Sequence, residues 1–283
     1  MSIKAWLREY DLRPQKRLGQ HFLVDQRVLQ QILATAEVGS HDTVLEVGAG
    51  LGTLTQALAE RARRVVAVEV DVQLLPALRS RLKCFDNSKV VQGDILALDV
   101  AGLLQEDDTA EVPCYKVVAN IPYYITSALL RRLLEASARP QLIVLMVQEE
   151  VAHRIAAGPG QMSLLAVSVQ FYGSARLVTR VPARAFYPAP KVGSAIVRID
   201  PHKRLSLGED DIGGFFRVVR AGFAQRRKQL RNALTHGLAL PSDCIRQAMG
   251  EAGIEERRRA QSLSVDEWLA LYRALNERIT AGI

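Results

Sequence analysis

Cysteine and long hydrophobic runs are scarce in this 283-residue chain, and each scarcity excludes a class of protein. Three scattered cysteines, Cys84, Cys114 and Cys244, form no C-x-x-C pair and have no histidines at metal-ligand spacing. We therefore expect reduced, inert thiols and no metal site. The longest aliphatic run, Leu142–Val147, is far too short to cross a bilayer, and no apolar stretch follows the early basic residues. The sequence thus predicts a cytoplasmic protein without a membrane partner.

Acidic residues are in deficit, because 30 Asp and Glu stand against 37 Lys and Arg, for a net charge of +7. A basic surface favours polyanionic partners such as nucleic acid, although it can also serve solubility alone. The hydrophobic content of 48% is enough for a packed core. At this length, a main domain with a smaller second one is the natural expectation.

Five short aliphatic segments predict the strands of a parallel sheet. None alternates polar with apolar residues, which is typical of strands buried on both faces between layers of helices. Residues 175–181 and 192–199 predict a further antiparallel pair at the sheet edge, because a proline-rich loop accounts for most of their separation. The expected fold class is α/β, with a doubly wound sheet. The five segments are Thr43–Val47, Arg64–Val68, Lys89–Val91, Lys116–Ala119 and Leu142–Val147.

The last part of the chain differs in character from the rest. Residues 215–283 show helical periods and no convincing strand, and 200–203 is a plausible boundary. We therefore predict a main domain at 1–203, which begins with a basic arm at 1–20, and a small all-α domain at 204–283.

A glycine turn follows the first predicted strand. Gly48, Gly50 and Gly52 precede a helix, where small residues let a ligand approach backbone N–H groups. The spacing is not G-x-G-x-x-G, because the third glycine comes one residue early. Glu69 ends the next strand, 69 − 50 = 19 residues past the middle glycine. An acidic side chain there can accept hydrogen bonds from both ribose hydroxyls, which indicates a nucleoside ligand.

Asp94 follows the third predicted strand and has two interpretations. Its carboxylate could accept a hydrogen bond from an adenine amino group, or it could cap the next helix, and taken alone the cap is favoured. The glycine turn, Glu69 and Asp94 stand at three successive strand ends. Because ligands bind at such ends in open α/β sheets, the three together favour one nucleoside site.

The segment Asn120–Tyr123, with the sequence Asn-Ile-Pro-Tyr, follows the fourth predicted strand. By itself it is more often an ordinary turn with a core tyrosine. It also fits the methylation of an exocyclic amine: the Asn120 oxygen and a backbone carbonyl accept from the amine, and Pro122 stiffens the turn. Tyr123 offers a flat face to a flipped base. No general base is needed, since the nitrogen becomes acidic once it is methylated.

These motifs together resemble known families. The glycine turn with its acidic residues is similar to that of the S-adenosylmethionine-dependent methyltransferases, and Asn120–Tyr123 matches the Asn-x-Pro-Tyr signature of amino methyltransferases. With Lys16–Leu23 and Phe186–Val192 the likeness extends almost from end to end. The chain resembles the bacterial 16S ribosomal RNA adenine dimethyltransferases, which implies a Rossmann-like, cofactor-binding catalytic domain and an RNA-binding helical domain.

The resemblance also implies roles for single residues. His21 stands where the family usually has Asn, and its imidazole can still hydrogen bond. Phe186 maps to an aromatic residue that sandwiches the target adenine, whereas Tyr124, where Asn is frequent, is expected to adjust local packing. The implied catalytic residues are Asn120, Pro122, Tyr123 and Phe186. The implied S-adenosylmethionine ligands are His21, Leu23, Gly48, Gly50, Glu69, Asp94 and Asn120.

The helical domain contains a segment, Phe223–Asn232, that resembles the family's RNA-binding helix. Its four cations have no acidic residue within the segment, and we expect them to contact phosphates, although a solvated helix face is the commoner role of such a run. The implied partner is 16S rRNA in the small subunit or its assembly intermediate, dimethylated at two adjacent adenines by a monomer. The four cations are Arg226, Arg227, Lys228 and Arg231.

Three alternative functions stay open. A large-subunit RNA dimethylase of the macrolide-resistance type shares the Asn-x-Pro-Tyr core, but the glycine turn and the Arg-rich helical domain favour the small-subunit enzymes. A DNA adenine methyltransferase usually has Pro-Pro after its Asn or acidic residue. A non-catalytic RNA-binding assembly or transcription factor is disfavoured by the intact Glu69, Asp94 and Asn120.

Overall fold

Strands and helices alternate along most of the chain in a computed structural model that describes residues 2–105, 112–225 and 227–280. The strands are β1 (Phe22–Leu23), β2 (Thr43–Val47), β3 (Arg64–Glu69), β4 (Ser88–Gln92), β5 (Tyr115–Asn120), β6 (Leu142–Gln148), β7 (Gly173–Val181), β8 (Phe186–Tyr187) and β9 (Ser194–Pro201). The helices are α1 (Ile3–Glu9), α2 (Gln26–Ala36), α3 (Thr53–Ala59), α4 (Leu75–Leu82), α5 (Val100–Leu104), α6 (Thr126–Leu134), α7 (Glu149–Ile155), α8 (Leu164–Gln170), α9 (Glu209–Phe223), α10 (Leu230–Leu238), α11 (Ser242–Glu251) and α12 (Val265–Thr280).

Seven strands form one sheet in the order β4-β3-β2-β5-β6-β9-β7. From β4 to β6 every pairing is parallel, and β9 lies antiparallel to β6. The predicted α/β fold is confirmed. Because the chain proceeds from β2 outward in one direction and from β5 outward in the other, the switch point lies at the carboxyl ends of these two strands.

The burial of the sheet follows from its aliphatic sequence. Every residue of β2 is buried, and so are the first six of β6. Helix α2 covers one face with apolar residues spaced three and four apart, among them Val28, Ile32 and Ala36, and Asp25 caps its first turn. The sheet is therefore a rigid platform for the residues that follow its strands.

The N-terminal arm contains a helix, α1, that the sequence analysis did not anticipate. Ser2 caps it by accepting a hydrogen bond from the Ala5 N–H. Ile3 and Leu7, one turn apart, are buried in a cluster with Leu51. A seven-residue helix is too short to show a hydrophobic period, which explains why the sequence predicted only a basic arm.

The chain divides into two compact units, Met1–Ala152 with Ser174–Pro201 and His153–Gly173 with His202–Ile283. The predicted boundary at 203/204 lies close to the second division, but the prediction had counted 153–173 in the main domain. In the second unit Phe171, which follows α8, stacks on Phe215 of α9 with ring centroids 4.8 Å apart. Within the described ranges no helix is long and apolar enough to cross a membrane.

Candidate functional site

A cavity lies at the carboxyl ends of β2, β3 and β5, entirely within the first unit. Most of the residues that the sequence analysis assigned to a cofactor or a substrate line this cavity, and their roles stay predictions. The exceptions are Phe186 and the basic residues of the second unit. Lining the cavity are His21, Leu23, Gly48, Gly50, Glu69, Asp94, Asn120, Pro122 and Tyr123.

The glycine turn is joined to Glu69 by a short hydrogen bond. Gly50 has φ +58°, a backbone angle that favours glycine, and its N–H donates to Glu69 Oε2 at 2.7 Å. The other carboxylate oxygen, Oε1, accepts from the Asp71 N–H at 2.8 Å. Burial raises the pKa of Glu69, although the backbone donors lower it in part. Both oxygens keep lone pairs for a ligand's hydroxyl groups.

Glu46 is a further acidic residue of the cavity, and sequence analysis gave it no role of its own. It is only 1% exposed, and its Oε2 has no hydrogen-bond partner. Burial raises the pKa of Glu46 to about 8, and the neighbouring Glu69 carboxylate adds to the increase. A buried carboxyl with a free oxygen is suited to a ligand that carries a positive charge or a hydrogen-bond donor.

We expect Glu46 to make the protein less stable as the pH rises from 4.5 to about 8. In that window the unfolded chain has lost the proton that the folded chain retains, so the free energy of unfolding falls with pH by up to about 1.4 kcal/mol per unit. Above pH 8 both states are charged, and the contribution of Glu46 levels off.

Urea unfolding of wild type and Glu46→Gln at several pH values measures this effect. The difference in the free energy of unfolding, variant minus wild type, should grow up to pH 8 and then become constant. Parallel curves over the whole range would show that Glu46 ionises as freely in the folded protein as in the unfolded chain.

Asn120 ends β5, and its neighbours determine how its amide is oriented. Its Nδ2 donates to the backbone carbonyl of His21 at 3.1 Å. Because a carbonyl can only accept, the amide nitrogen must face His21, and Oδ1 is left as an acceptor for a ligand. The His21 Nδ1 lies 2.6 Å from the carbonyl of Pro188, so for the same reason Nδ1 carries the proton.

Tyr123 is held by two contacts. Its hydroxyl and the Ser194 Oγ are 2.7 Å apart, and its ring lies beside that of His21, with centroids 6.1 Å apart and planes 22° apart. Burial raises the pKa of Tyr123, while the Ser194 hydroxyl lowers it in part. Sequence analysis did not single out Ser194, which is fully buried at the start of β9. The fixed ring can serve as one wall of a base-binding site.

Asp94 lines the cavity but also has a structural role. Its Oδ1 accepts from the Leu96 N–H at 2.9 Å, so it closes the turn after β4. It does not cap the next helix, because Asp99 does so by accepting from the Ala101 N–H. Oδ2 of Asp94 can still accept from a ligand, so contact with an adenine amino group stays a prediction. In the described part of the chain, no group of three or more His, Cys, Asp and Glu could hold a metal ion.

Phe186 is not among the residues that line the cavity. It is 4% exposed and packs in the core with Leu23 and Ile196. Strand β8 pairs with β1, with Phe186 opposite Leu23, which does line the cavity. The implied sandwich of an adenine by Phe186 stays a prediction.

Asp71 anchors the segment Gln15–Leu23, several of whose residues line the cavity, and sequence analysis missed it. Its Oδ2 accepts from the side-chain amides of Gln15 at 2.9 Å and Gln20 at 2.6 Å. The backbone N–H of Asp71 donates to Glu69. One buried carboxylate thus joins the segment to the strand end that carries Glu69. Its position two residues after Glu69 was the only available signal.

The basic cluster of the second unit is partly neutralised. Arg231 Nη1 donates to Glu256 Oε2 at 2.6 Å. The segment Phe223–Asn232 itself contains no acidic residue, but the fold supplies one from outside it. Arg227 and Lys228 are exposed. Arg226 lies outside the described residues. Contact with RNA by these residues stays a prediction.

A family model described as ribosomal RNA adenine dimethylase matches residues 12–277. Several curated proteins named ribosomal RNA small subunit methyltransferase A are similar to this chain. The one from Dehalococcoides mccartyi is 47% identical, over 95% of this chain and 91% of its own. The one from Moorella thermoacetica is 44% identical, over 96% of both chains.

Two solved structures are similar over most of their length. A dimethyladenosine transferase from Plasmodium falciparum has a TM-score of 0.77 and 25% identity, and the match covers 91% of this chain and 98% of that one. The 23S rRNA methyltransferase ErmE has a TM-score of 0.73 and 29% identity, and the match covers 90% of this chain and 99% of that one.

Proposed function

The chain belongs to the ribosomal RNA adenine dimethylase family, and on that premise we propose that it dimethylates the exocyclic amines of two adjacent adenines in 16S rRNA. It is an S-adenosylmethionine-dependent rRNA methyltransferase. The names of the relatives with 47% and 44% identity support small-subunit ribosomal RNA as the substrate. We expect the protein to meet this RNA in the small subunit or its assembly intermediate. A ribosomal RNA substrate also implies a cytoplasmic site of action, where we expect the protein to work as a monomer.

The orientation of Asn120 is the observation that carries this proposal. The amide nitrogen is committed to the His21 carbonyl, so Oδ1 accepts a hydrogen bond from the adenine amine. Accepting from an N–H of that amine draws its lone pair out of conjugation with the ring, which makes the nitrogen a better nucleophile. Tyr123, fixed through Ser194, holds the flipped base by stacking.

The residues of the cavity fit S-adenosylmethionine, which supplies a methyl group bound to a sulfonium. Glu69 accepts hydrogen bonds from the ribose hydroxyls while it keeps those from the Gly50 and Asp71 N–H groups. The unpartnered Oε2 of Glu46 suits a cofactor that carries positive charge. At Gly48 an added Cβ would lie 3.4 Å from Pro122, so glycine allows the turn to pass close to the catalytic segment.

No side chain has to remove a proton before the methyl group moves. The attacking nitrogen is neutral, and it becomes acidic only after the transfer, when the proton can leave to water. Tyr123 is unsuited to act as a base, since burial raises the pKa of its hydroxyl. The work of the residues is therefore to orient the amine for in-line attack.

We expect RNA to dock on the basic residues of the second unit. Arg227 and Lys228 are exposed and can contact phosphates, and Arg231 can do so while it is paired with Glu256. Arg226, outside the described residues, is part of the same proposal. These contacts position the RNA without reading its sequence.

Incubation with labelled S-adenosylmethionine tests the substrate. Unmethylated small subunits, unmethylated large subunits and duplex DNA are offered separately, and the label is mapped. We expect label in small-subunit RNA alone. Label in large-subunit RNA would favour the activity named for the 29% identical ErmE, and label in DNA or none at all would refute the proposal.

Asp71→Ala should weaken the binding of S-adenosylmethionine by about tenfold or more, because hydrogen bonds to a charged acceptor contribute about 1.5–3 kcal/mol each. Gln15 and Gln20 would lose their common anchor. The segment Gln15–Leu23, which closes the cavity, would then no longer be fixed to the strand end that carries Glu69. Isothermal titration measures the Kd. The control Gln73→Ala removes an exposed partner of Gln15 and should leave the Kd near that of wild type. An unchanged Kd in a folded Asp71→Ala would contradict the anchor.

A further inference from the structure

Tyr124 is a large aromatic side chain that the structure leaves open to solvent beside the catalytic segment. It is 63% exposed, more than any other large hydrophobic residue in the described ranges, and it lines the cavity together with Gly19. Sequence analysis expected it to adjust local packing, and the structure corrects this, because a side chain so exposed contributes little to packing. An exposed aromatic ring beside a ligand site offers a face on which a base can stack.

The backbone that carries Tyr124 is held rigidly. Pro122 fixes the start of the turn, and its carbonyl accepts from the Ile125 N–H at 3.2 Å. The Thr126 hydroxyl donates to the Tyr123 carbonyl at 3.0 Å. On the other side, Gly19 approaches the ring, and a Cβ added at this residue would lie 3.9 Å from the Tyr124 ring. The backbone that carries the ring is therefore fixed, while the ring itself stays open to a ligand.

Two cations lie two and three residues before Gly19, the residue that approaches this ring. Lys16 and Arg17 belong to the short helical turn that ends at Gly19, and both are exposed. Arg17 Nε donates to the neutral Oε1 of Gln15, a contact that does not cancel its charge. Exposed cations next to an exposed aromatic ring are the combination that binds single-stranded nucleic acid, with phosphates on the cations and a base on the ring.

We propose that Tyr124 is the stacking platform for the nucleotide next to the adenine held at Asn120, with Lys16 and Arg17 contacting the adjoining phosphates. The inference rests on the proposed function and deepens it, since it identifies where the neighbour of the reacting base is held. Tyr123 is already engaged by Ser194 and His21 inside the cavity, whereas Tyr124 lies at its opening. Two adjacent adenines require such a second place, because one must be held outside while the other reacts.

Steady-state methylation of unmethylated small subunits tests the platform. Tyr124→Ala should raise the KM for subunits by about tenfold or more, in line with the contribution of a base stacked on an aromatic ring, and change kcat less. Tyr124→Phe retains the stacking face and should stay within about twofold of wild type. The Kd for S-adenosylmethionine and the Tm should not change in either variant.

Tyr187→Ala is the matched control. This ring is exposed as well, at 36%, but it does not line the cavity and lies against Lys4. It should leave the KM for subunits unchanged. An unchanged KM in Tyr124→Ala would overturn the inference, and so would a weaker Kd for S-adenosylmethionine, which would place the ring against the cofactor. If wild type itself failed to methylate small subunits, the proposed function would fail first.

Discussion

Asn120→Ala should lower kcat for RNA methylation by about 10²–10³-fold or more, while the binding of S-adenosylmethionine should stay measurable. Alanine removes the Oδ1 that accepts from the adenine amine, the acceptor that the contact between Asn120 Nδ2 and the His21 carbonyl leaves free. Single-turnover kinetics with saturating cofactor measures the chemical step, and isothermal titration measures the Kd for S-adenosylmethionine.

A second asparagine provides the control for this prediction. Asn87 also donates through Nδ2 to backbone carbonyls, those of Ala59 and Ala62, but it does not line the cavity. Asn87→Ala should lower the Tm and leave kcat unchanged. Full activity in Asn120→Ala would remove the basis for the proposed mechanism.

Glu69→Gln should weaken the binding of S-adenosylmethionine by about 10–100-fold. Both carboxylate oxygens accept from backbone N–H groups, those of Gly50 and Asp71. An amide has one acceptor and one donor, so its NH₂ would face an N–H, and one buried backbone donor would lose its partner at a cost of about 1–3 kcal/mol. That cost is present in the free and in the bound protein, so it lowers the stability. The affinity falls because the ribose hydroxyls lose a charged acceptor, a loss of about 1.5–3 kcal/mol that corresponds to about 10–100-fold in Kd.

Equilibrium binding of S-adenosylmethionine measures this loss, and kcat at saturating cofactor should recover much of its wild-type value. Glu60→Gln is the control, since Glu60 lies on the surface and pairs with Arg61. A Kd for Glu69→Gln equal to that of Glu60→Gln would exclude Glu69 from the cofactor site.

The strands of the sheet were predictable because each is a short aliphatic run that can be recognised from neighbouring residues alone. Aliphatic runs gave Thr43–Val47 and Leu142–Val147 as strands, and the structure places them in β2 and β6. Parallel strands must deliver the residues after them to one edge, so Glu69 and Asn120 could be grouped without coordinates. The family likeness added the identity of the ligands, which the spacing alone left open.

Residues that act through distant partners escaped sequence analysis. Ser194 reaches Tyr123 across 71 positions, and Gln20 reaches Asp71 across 51. The burial of Phe186 was not foreseen for the same reason, because the β1–β8 pairing joins segments far apart in the chain. Such pairings follow from tertiary packing, and the hydrophobic periodicity of a short segment does not predict them.

The second unit also contains contacts between distant positions that sequence analysis did not predict. Residues 153–173 join it through aromatic contacts such as Phe171 with Phe215, although their sequence continues directly from the sheet. The ion pair between Arg231 and Glu256 also joins positions that are 25 residues apart. The charges counted within Phe223–Asn232 therefore overestimated how many of its cations are without an acidic partner.

The most direct test of the central claim is nucleoside analysis of small-subunit RNA. Unmethylated small subunits are incubated with S-adenosylmethionine and either wild type or Asn120→Ala, and the RNA is digested and examined by mass spectrometry. We predict two N6,N6-dimethyladenosines per small subunit with wild type and none with the variant. Methyl groups on another base, on a ribose, or equally in both samples would contradict an adenine-amine methyltransferase that acts through Asn120.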